Sequence, residues 1–111
     1  MTRLVWAVSA QRDLKAIRDY ISKDSKVNAR RFVQRIKYSA QSLVLLPESG
    51  SLLGEAGFSL LREIYVGSYR VIYLFDGHET VSIVRVVHGA RLLPDAIPHS
   101  DSDGLQPDTS E

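Results

Sequence analysis

Apolar residues change their spacing twice along this chain, and each change marks a new kind of element. Leu4-Val5-Trp6-Ala7-Val8 is a short unbroken apolar run that suits a buried strand. Ala10, Leu14, Ile17 and Ile21 then recur at intervals of four, three and four, while Asp13, Arg18, Asp19 and Lys23 fall mainly elsewhere. That spacing predicts an amphipathic helix of about four turns, with Tyr20 at the edge of its stripe and Ser9 offering a hydroxyl as N-cap. Asp24-Ser25 interrupts the pattern and caps a second helix. Its apolar face is Ala29, Phe32, Val33, Ile36, Ala40, Leu43 and Val44, with Arg30, Arg31, Gln34, Arg35 and Lys37 around it. Pro47 stops this helix because its ring excludes the preceding turn. Two helices joined by so short a link form an antiparallel hairpin.

Residues 47–59 are rich in Pro, Gly and Ser and read as a loop. Beyond them the period becomes two: Leu60 to Val66, Tyr69 to Phe75 and Thr80 to Val87 are β-rich runs. Gly67-Ser68 and Asp76-Gly77-His78-Glu79 separate them as hairpin turns. In the middle run Tyr69, Val71, Tyr73 and Phe75 share one face, while Ile72 and Leu74 take the other. A strand apolar on both faces belongs at the centre of its sheet. The predicted class is α+β, in the order β-α-α-β-β-β, with the helical hairpin packed on a small antiparallel sheet.

Size and composition narrow the setting. With 111 residues, of which 44% are hydrophobic and 24% charged, the chain supports one core. It has no cysteine, which excludes disulfides and thiolate metal sites and suits a reducing compartment. No segment offers the roughly 20 apolar residues of a membrane helix, and Arg12-Asp13 come too early for a signal peptide. A cytoplasmic protein with no membrane association is expected. The net charge of +1 conceals an asymmetry. Residues 1–93 hold 14 bases against 8 acids, a charge of +6, whereas residues 94–111 hold five acids and no Lys or Arg. A basic body can attract nucleic acid or an acidic protein segment. The division expected is a folded domain over residues 1–93 and an acidic tail over 94–111, disordered in the free protein.

Several stretches are less generic. Trp6-Ala7-Val8-Ser9-Ala10-Gln11-Arg12-Asp13-Leu14 precedes Ile17 and Tyr20-Ile21; Ala29-Arg30-Arg31-Phe32 leads to Pro47-Glu48-Ser49-Gly50. Leu61-Arg62-Glu63-Ile64, Gly67-Ser68-Tyr69-Arg70-Val71-Ile72-Tyr73 and Ile83-Val84-Arg85-Val86-Val87-His88-Gly89-Ala90-Arg91 complete the set. In order and spacing, across about residues 4–93, this resembles the RelE/ParE superfamily of bacterial toxins, which includes ParE-like and plasmid-stabilisation toxins. The resemblance implies the toxin half of a type II toxin–antitoxin pair, neutralised by a protein antitoxin whose C-terminal segment wraps it. Operator DNA would then be met only through the antitoxin. It also implies one of two targets: RelE-type members are ribosome-dependent mRNA endonucleases, and ParE-type members poison DNA gyrase without cutting RNA.

Attack by a ribose 2′-hydroxyl needs a base, cations around the phosphate and an acid for the leaving oxygen. The positions available to a nuclease are Arg62, Glu63, Arg70, His88 and Arg91. Arg70 and Arg91 fall on cationic positions of the family. The paired lysines expected on the second strand are replaced by Arg62 and Glu63, and residues 92–111 contain no Tyr. Gly89 follows His88 where the other nuclease variant carries Tyr. These deficits favour a ParE-like gyrase binder over an enzyme. On that reading Arg70, His88 and Arg91 face the target, and Arg30, Arg31, Arg35 and Lys37 meet the antitoxin. The structural alternatives are a cross-strand Arg70–Glu63 pair and a solvated arginine face on the helix. A further alternative is a non-toxic co-repressor that only binds its antitoxin. No phosphate loop, nucleophile elbow or metal-ligand cluster is present in the sequence, and no cofactor is expected.

Overall fold

The computed structural model describes residues 2–53 and 60–90. Its elements run β1 (Arg3–Trp6), α1 (Val8–Ser22), α2 (Lys26–Ser42), β2 (Ser51–Leu52), β3 (Leu61–Val66), β4 (Tyr69–Phe75) and β5 (Thr80–His88). The strands form one sheet in the order β1-β5-β4-β3-β2, with β4 at its centre, as the two-faced apolar pattern predicts. β3, β4 and β5 form an antiparallel meander, but β1 lies parallel to β5, with Leu4 opposite Val81 and Trp6 opposite Ile83. The sheet is therefore mixed rather than antiparallel. An apolar run of a few residues signals a strand without giving its direction, and the helical hairpin supplies the long crossover that a parallel pair requires. Ser51–Leu52, inside the predicted loop, adds a short edge strand against Arg62 and Glu63.

The helices bury the stripes read from the sequence. Ala10, Leu14 and Ile17 of α1, with Ala29, Val33, Ile36 and Ala40 of α2, are buried. Most of these join Val66, Val71, Tyr73, Val81, Ile83 and Val86 of the sheet in the main core. A smaller cluster, Leu53, Leu61, Ile72, Val84 and Val87, occupies the opposite face. Ser25 caps α2, accepting from the Asn28 N–H at 3.1 Å. Ser9 does not cap α1. The helix begins at Val8 with Ala7 in the capping position, and the Ser9 hydroxyl donates to the Val84 carbonyl at 2.6 Å. α2 ends at Ser42, so Val44 lies in the turn before Pro47.

Two polar anchors fix elements that hydrophobic pattern alone leaves free. Asp13 of α1 accepts from Arg85 Nε at 2.7 Å, from Arg85 Nη2 at 3.0 Å and from the Val86 N–H at 2.8 Å. It does so beside a β-bulge in β5, where Tyr73 faces Ile83 and Ile72 faces Arg85, leaving Val84 between them. Tyr73 is wholly buried; its hydroxyl donates to the Pro47 carbonyl at 2.8 Å and accepts from the Gly50 N–H at 2.9 Å. Burial pushes its phenol above the ordinary value. A β-carbon at Gly50 would stand 2.5 Å from that hydroxyl and 2.8 Å from the Glu63 carbonyl, so only glycine fits there.

Candidate partner-binding surfaces

The meander decides which of the sequence-predicted residues can meet. Arg62 pairs with Tyr73 across the β3–β4 ladder, and its Nη1 donates to the carbonyls of Glu48 at 3.0 Å and Gly50 at 2.8 Å. It fastens the segment after α2 to the sheet. Glu63 and Arg70 share the face turned away from the helices, on a diagonal of the same hairpin. Arg70 Nε donates to Glu63 Oε1 at 2.5 Å, and the two side chains are 10% and 16% exposed respectively. His88 pairs instead with Tyr69, on the helix-bearing face, with ring centroids 5.4 Å apart and edge-on. Its Nδ1 accepts from the Ala90 N–H at 3.2 Å, so the neutral imidazole carries its proton on Nε2. The sheet thus stands between His88 and the Glu63–Arg70 pair. Arg91 lies outside the described residues.

Around the β3–β4 turn, side chains from three elements converge. Gly67 turns the chain at φ +59°, and its backbone abuts the Phe32 ring. Phe32 lies 5.5 Å from Tyr69, and the Arg35 guanidinium sits 6.0 Å from the Phe32 centroid, giving a row Arg35, Phe32, Tyr69, His88. On the other face Tyr65, opposite Arg70, is exposed. The Gly89 N–H donates to the Ser68 carbonyl at 2.7 Å. A β-carbon at Gly89 would meet that oxygen at 3.1 Å and the Tyr65 ring at 3.2 Å, so the exit from β5 is held against the turn. Tyr65 escaped the sequence reading because its neighbours mark it only as one more strand residue.

The cations on α2 divide into two groups. Arg30 and Lys37, seven residues apart, border the groove between the helices, whereas Arg31 and Arg35 line a pocket on the other flank with Ile21, Asn28 and Phe32. The groove has two connected hollows. One, of about 540 Å³, is lined by Trp6, Gln11, Leu14, Lys15, Arg18, Val33 and Lys37. The other, of about 370 Å³, shares Arg18, Val33 and Lys37 and adds Ser22, Lys26, Arg30 and Gln34. Lys15, Arg18 and Lys26 were not singled out in the sequence, because they reach this groove only once the hairpin closes. Five bases therefore border an apolar floor, with Asp19 pairing to Lys15 and Arg18 at 3.7 Å each.

Among the described residues no cluster of His, Cys, Asp and Glu could hold a metal ion, and no helix is long and apolar enough to cross a membrane. The family described as the ParE toxin of the type II toxin–antitoxin system, parDE, matches residues 4–93. A protein named Toxin RelE2 from Caulobacter vibrioides is 41% identical over 92 residues, which span 83% of this chain and 100% of that protein. Two solved structures share the fold. The chromosomal ParDE system from P. aeruginosa matches at a TM-score of 0.66 and 24% identity, covering 79% of this chain and 96% of that one. The toxin–antitoxin complex RelBE2 from Mycobacterium tuberculosis matches at 0.61 and 24%, covering 78% and 96%.

Proposed function

The chain belongs to the ParE toxin family of type II toxin–antitoxin systems, and from that premise we propose that it arrests growth by binding DNA gyrase rather than by cutting RNA. The separation of the polar groups carries this reading. Cleavage through a 2′-hydroxyl needs a base, an acid and cations around one phosphate. Here Arg62 is spent on two backbone carbonyls, Glu63 is neutralised by Arg70, and His88 lies on the other side of the sheet. What remains is a rigid surface at the end of the sheet, presenting Tyr65 and His88, with Arg70 holding the strands beneath it. Arg91, three positions after His88 in the sequence, stays a proposed target contact.

The antitoxin, on this reading, lays an acidic and apolar segment in the groove between α1 and α2. Arg30 and Lys37 meet its carboxylates there, and Arg31 and Arg35 engage it where it passes over the other flank of α2. The two solved structures that share the fold are of toxin–antitoxin systems, which supports such a partner.

One observation favours a second reading. A relative 41% identical bears the name Toxin RelE2, and RelE-type members are the ribosome-dependent mRNA endonucleases of the superfamily this chain resembles. Gyrase supercoiling and translation with mapped mRNA ends, run in parallel on purified protein, separate the two. Loss of supercoiling with intact messages is the expected result, and codon-spaced cuts in the messages overturn it. Growth unaffected by over-expression without antitoxin would leave only the co-repressor role.

A further inference from the structure

The groove between α1 and α2 has a candidate occupant within its own chain. Residues 94–111 carry Asp95, Asp101, Asp103, Asp108 and Glu111, no Lys or Arg, and the isolated apolar residues Ile97 and Leu105. We propose that this acidic segment docks in the basic groove of its own chain and must be displaced before an antitoxin can bind. The proposal rests on reading that groove as the antitoxin's site.

The charges are complementary in sign: the segment brings five carboxylates, and the groove offers Lys15, Arg18, Lys26, Arg30 and Lys37, of which Lys15 and Arg18 already share Asp19. The floor is apolar, through Trp6, Leu14 and Val33, which suits Ile97 and Leu105. Reach is ample. The 21 residues after Ala90 span up to roughly 70 Å when extended, whereas α1, at 15 residues, is roughly 22 Å long. Exposed ion pairs are individually weak and screened by salt. A tether nevertheless holds the segment at an effective concentration on the order of millimolar, enough to populate a contact too weak to form between separate molecules. Antitoxin affinity would then fall in proportion to the fraction of protein whose groove is free.

Trp6 is the sole tryptophan and lines this groove, so its quenching by the neutral molecule acrylamide reads occupancy directly. The comparison is between the full-length wild type and the full-length variant D95N/D101N/D103N/D108N/E111Q. At low salt the variant should be quenched more strongly. Raising salt from about 0.1 M to about 1 M shortens the screening length from roughly 10 Å to roughly 3 Å, and should bring the wild type up to the variant. A synthetic peptide of residues 94–111 added to the variant should restore protection. Arg18→Gln with Arg30→Gln should reproduce the gain in quenching and add nothing on top of the tail variant. Equal quenching of wild type and variant at low salt, or a salt-insensitive wild type, overturns the proposal. Titration of the cognate antitoxin into the same samples keeps the two readings apart, and it should bind the tail variant more tightly than the wild type. A responsive Trp6 with equal antitoxin affinity sinks the groove as the antitoxin's site alone, and an unresponsive Trp6 with antitoxin binding weakened by Arg18→Gln and Arg30→Gln sinks the docking alone.

Discussion

Replacing Arg70 with alanine strips the Glu63 carboxylate of its partner on the face of the sheet away from the helices. Both side chains are nearly withdrawn from water, at 10% and 16% exposure. A paired charge left alone in such surroundings costs about 3–5 kcal/mol, against a total stability of about 5–15 kcal/mol for a domain of this kind. At about 4 °C or more per kcal/mol, the midpoint of thermal unfolding should fall by at least roughly 12 °C. Removing both charges is a different perturbation. Arg70→Leu with Glu63→Leu leaves no stranded ion and should unfold within about 1–2 kcal/mol of the wild type. Urea denaturation followed by fluorescence measures both variants, and supercoiling assays at a temperature where each stays folded measure what the pair does for the target. If the wild type inhibits gyrase as proposed, an Arg70→Ala protein that loses less than about 1 kcal/mol yet fails to inhibit it would refute the reasoning. Arg70 would then be spent on the partner, and its contact with Glu63 would be incidental.

Tyr73→Phe leaves the Gly50 N–H and the Pro47 carbonyl without their partner and should cost about 1–3 kcal/mol in a urea titration. Because burial raises the Tyr73 phenol in the folded state, its contribution is full below the ordinary tyrosine value and lost as pH rises through the folded one. The same substitution should therefore flatten the alkaline decline in stability. Asp76 behaves oppositely. Hydrogen bonds from the N–H groups of Thr80 and His78 lower its carboxyl, with a smaller contribution from Glu79, so the stability it supplies is present above the ordinary value of 3.8 and lost as pH falls through the folded one. Asp76→Asn should remove that acid-limb slope in a series of melts from about pH 5 to about pH 2. Asp13→Ala removes the acceptor shared by Arg85 and the Val86 N–H and should cost about 3 kcal/mol, with hydrogen exchange rising at the β5 bulge.

The parts of this fold that depend on period were readable from the residues. Ala10, Leu14 and Ile17, like Ala29, Val33, Ile36 and Ala40, are buried as their spacing requires, and β4 is central because both its faces are apolar. Parts that depend on what meets across the chain were not. Nothing near Asp13 announces a guanidinium 72 residues away, and Ser9 serves the Val84 carbonyl rather than its own helix. The site shows the same division. The Arg70–Glu63 pair is a cross-strand contact that hairpin register makes available. The division of the α2 cations follows from helical geometry, since positions 30 and 37 face one way and 31 and 35 another. The basic groove itself could not be read in advance, because Lys15 and Arg18 belong to a different helix. Arg91 and the acidic segment lie outside the described residues.

The parallel seating of β1 against β5 joins the first and the last of the described strands. While the chain is being synthesised, Leu4 and Trp6 have no strand beside them, and Asp13 has no guanidinium, until residues 80–88 leave the ribosome. A nascent or truncated chain lacking that strand cannot complete its sheet, so the domain stays unassembled until β5 has been made.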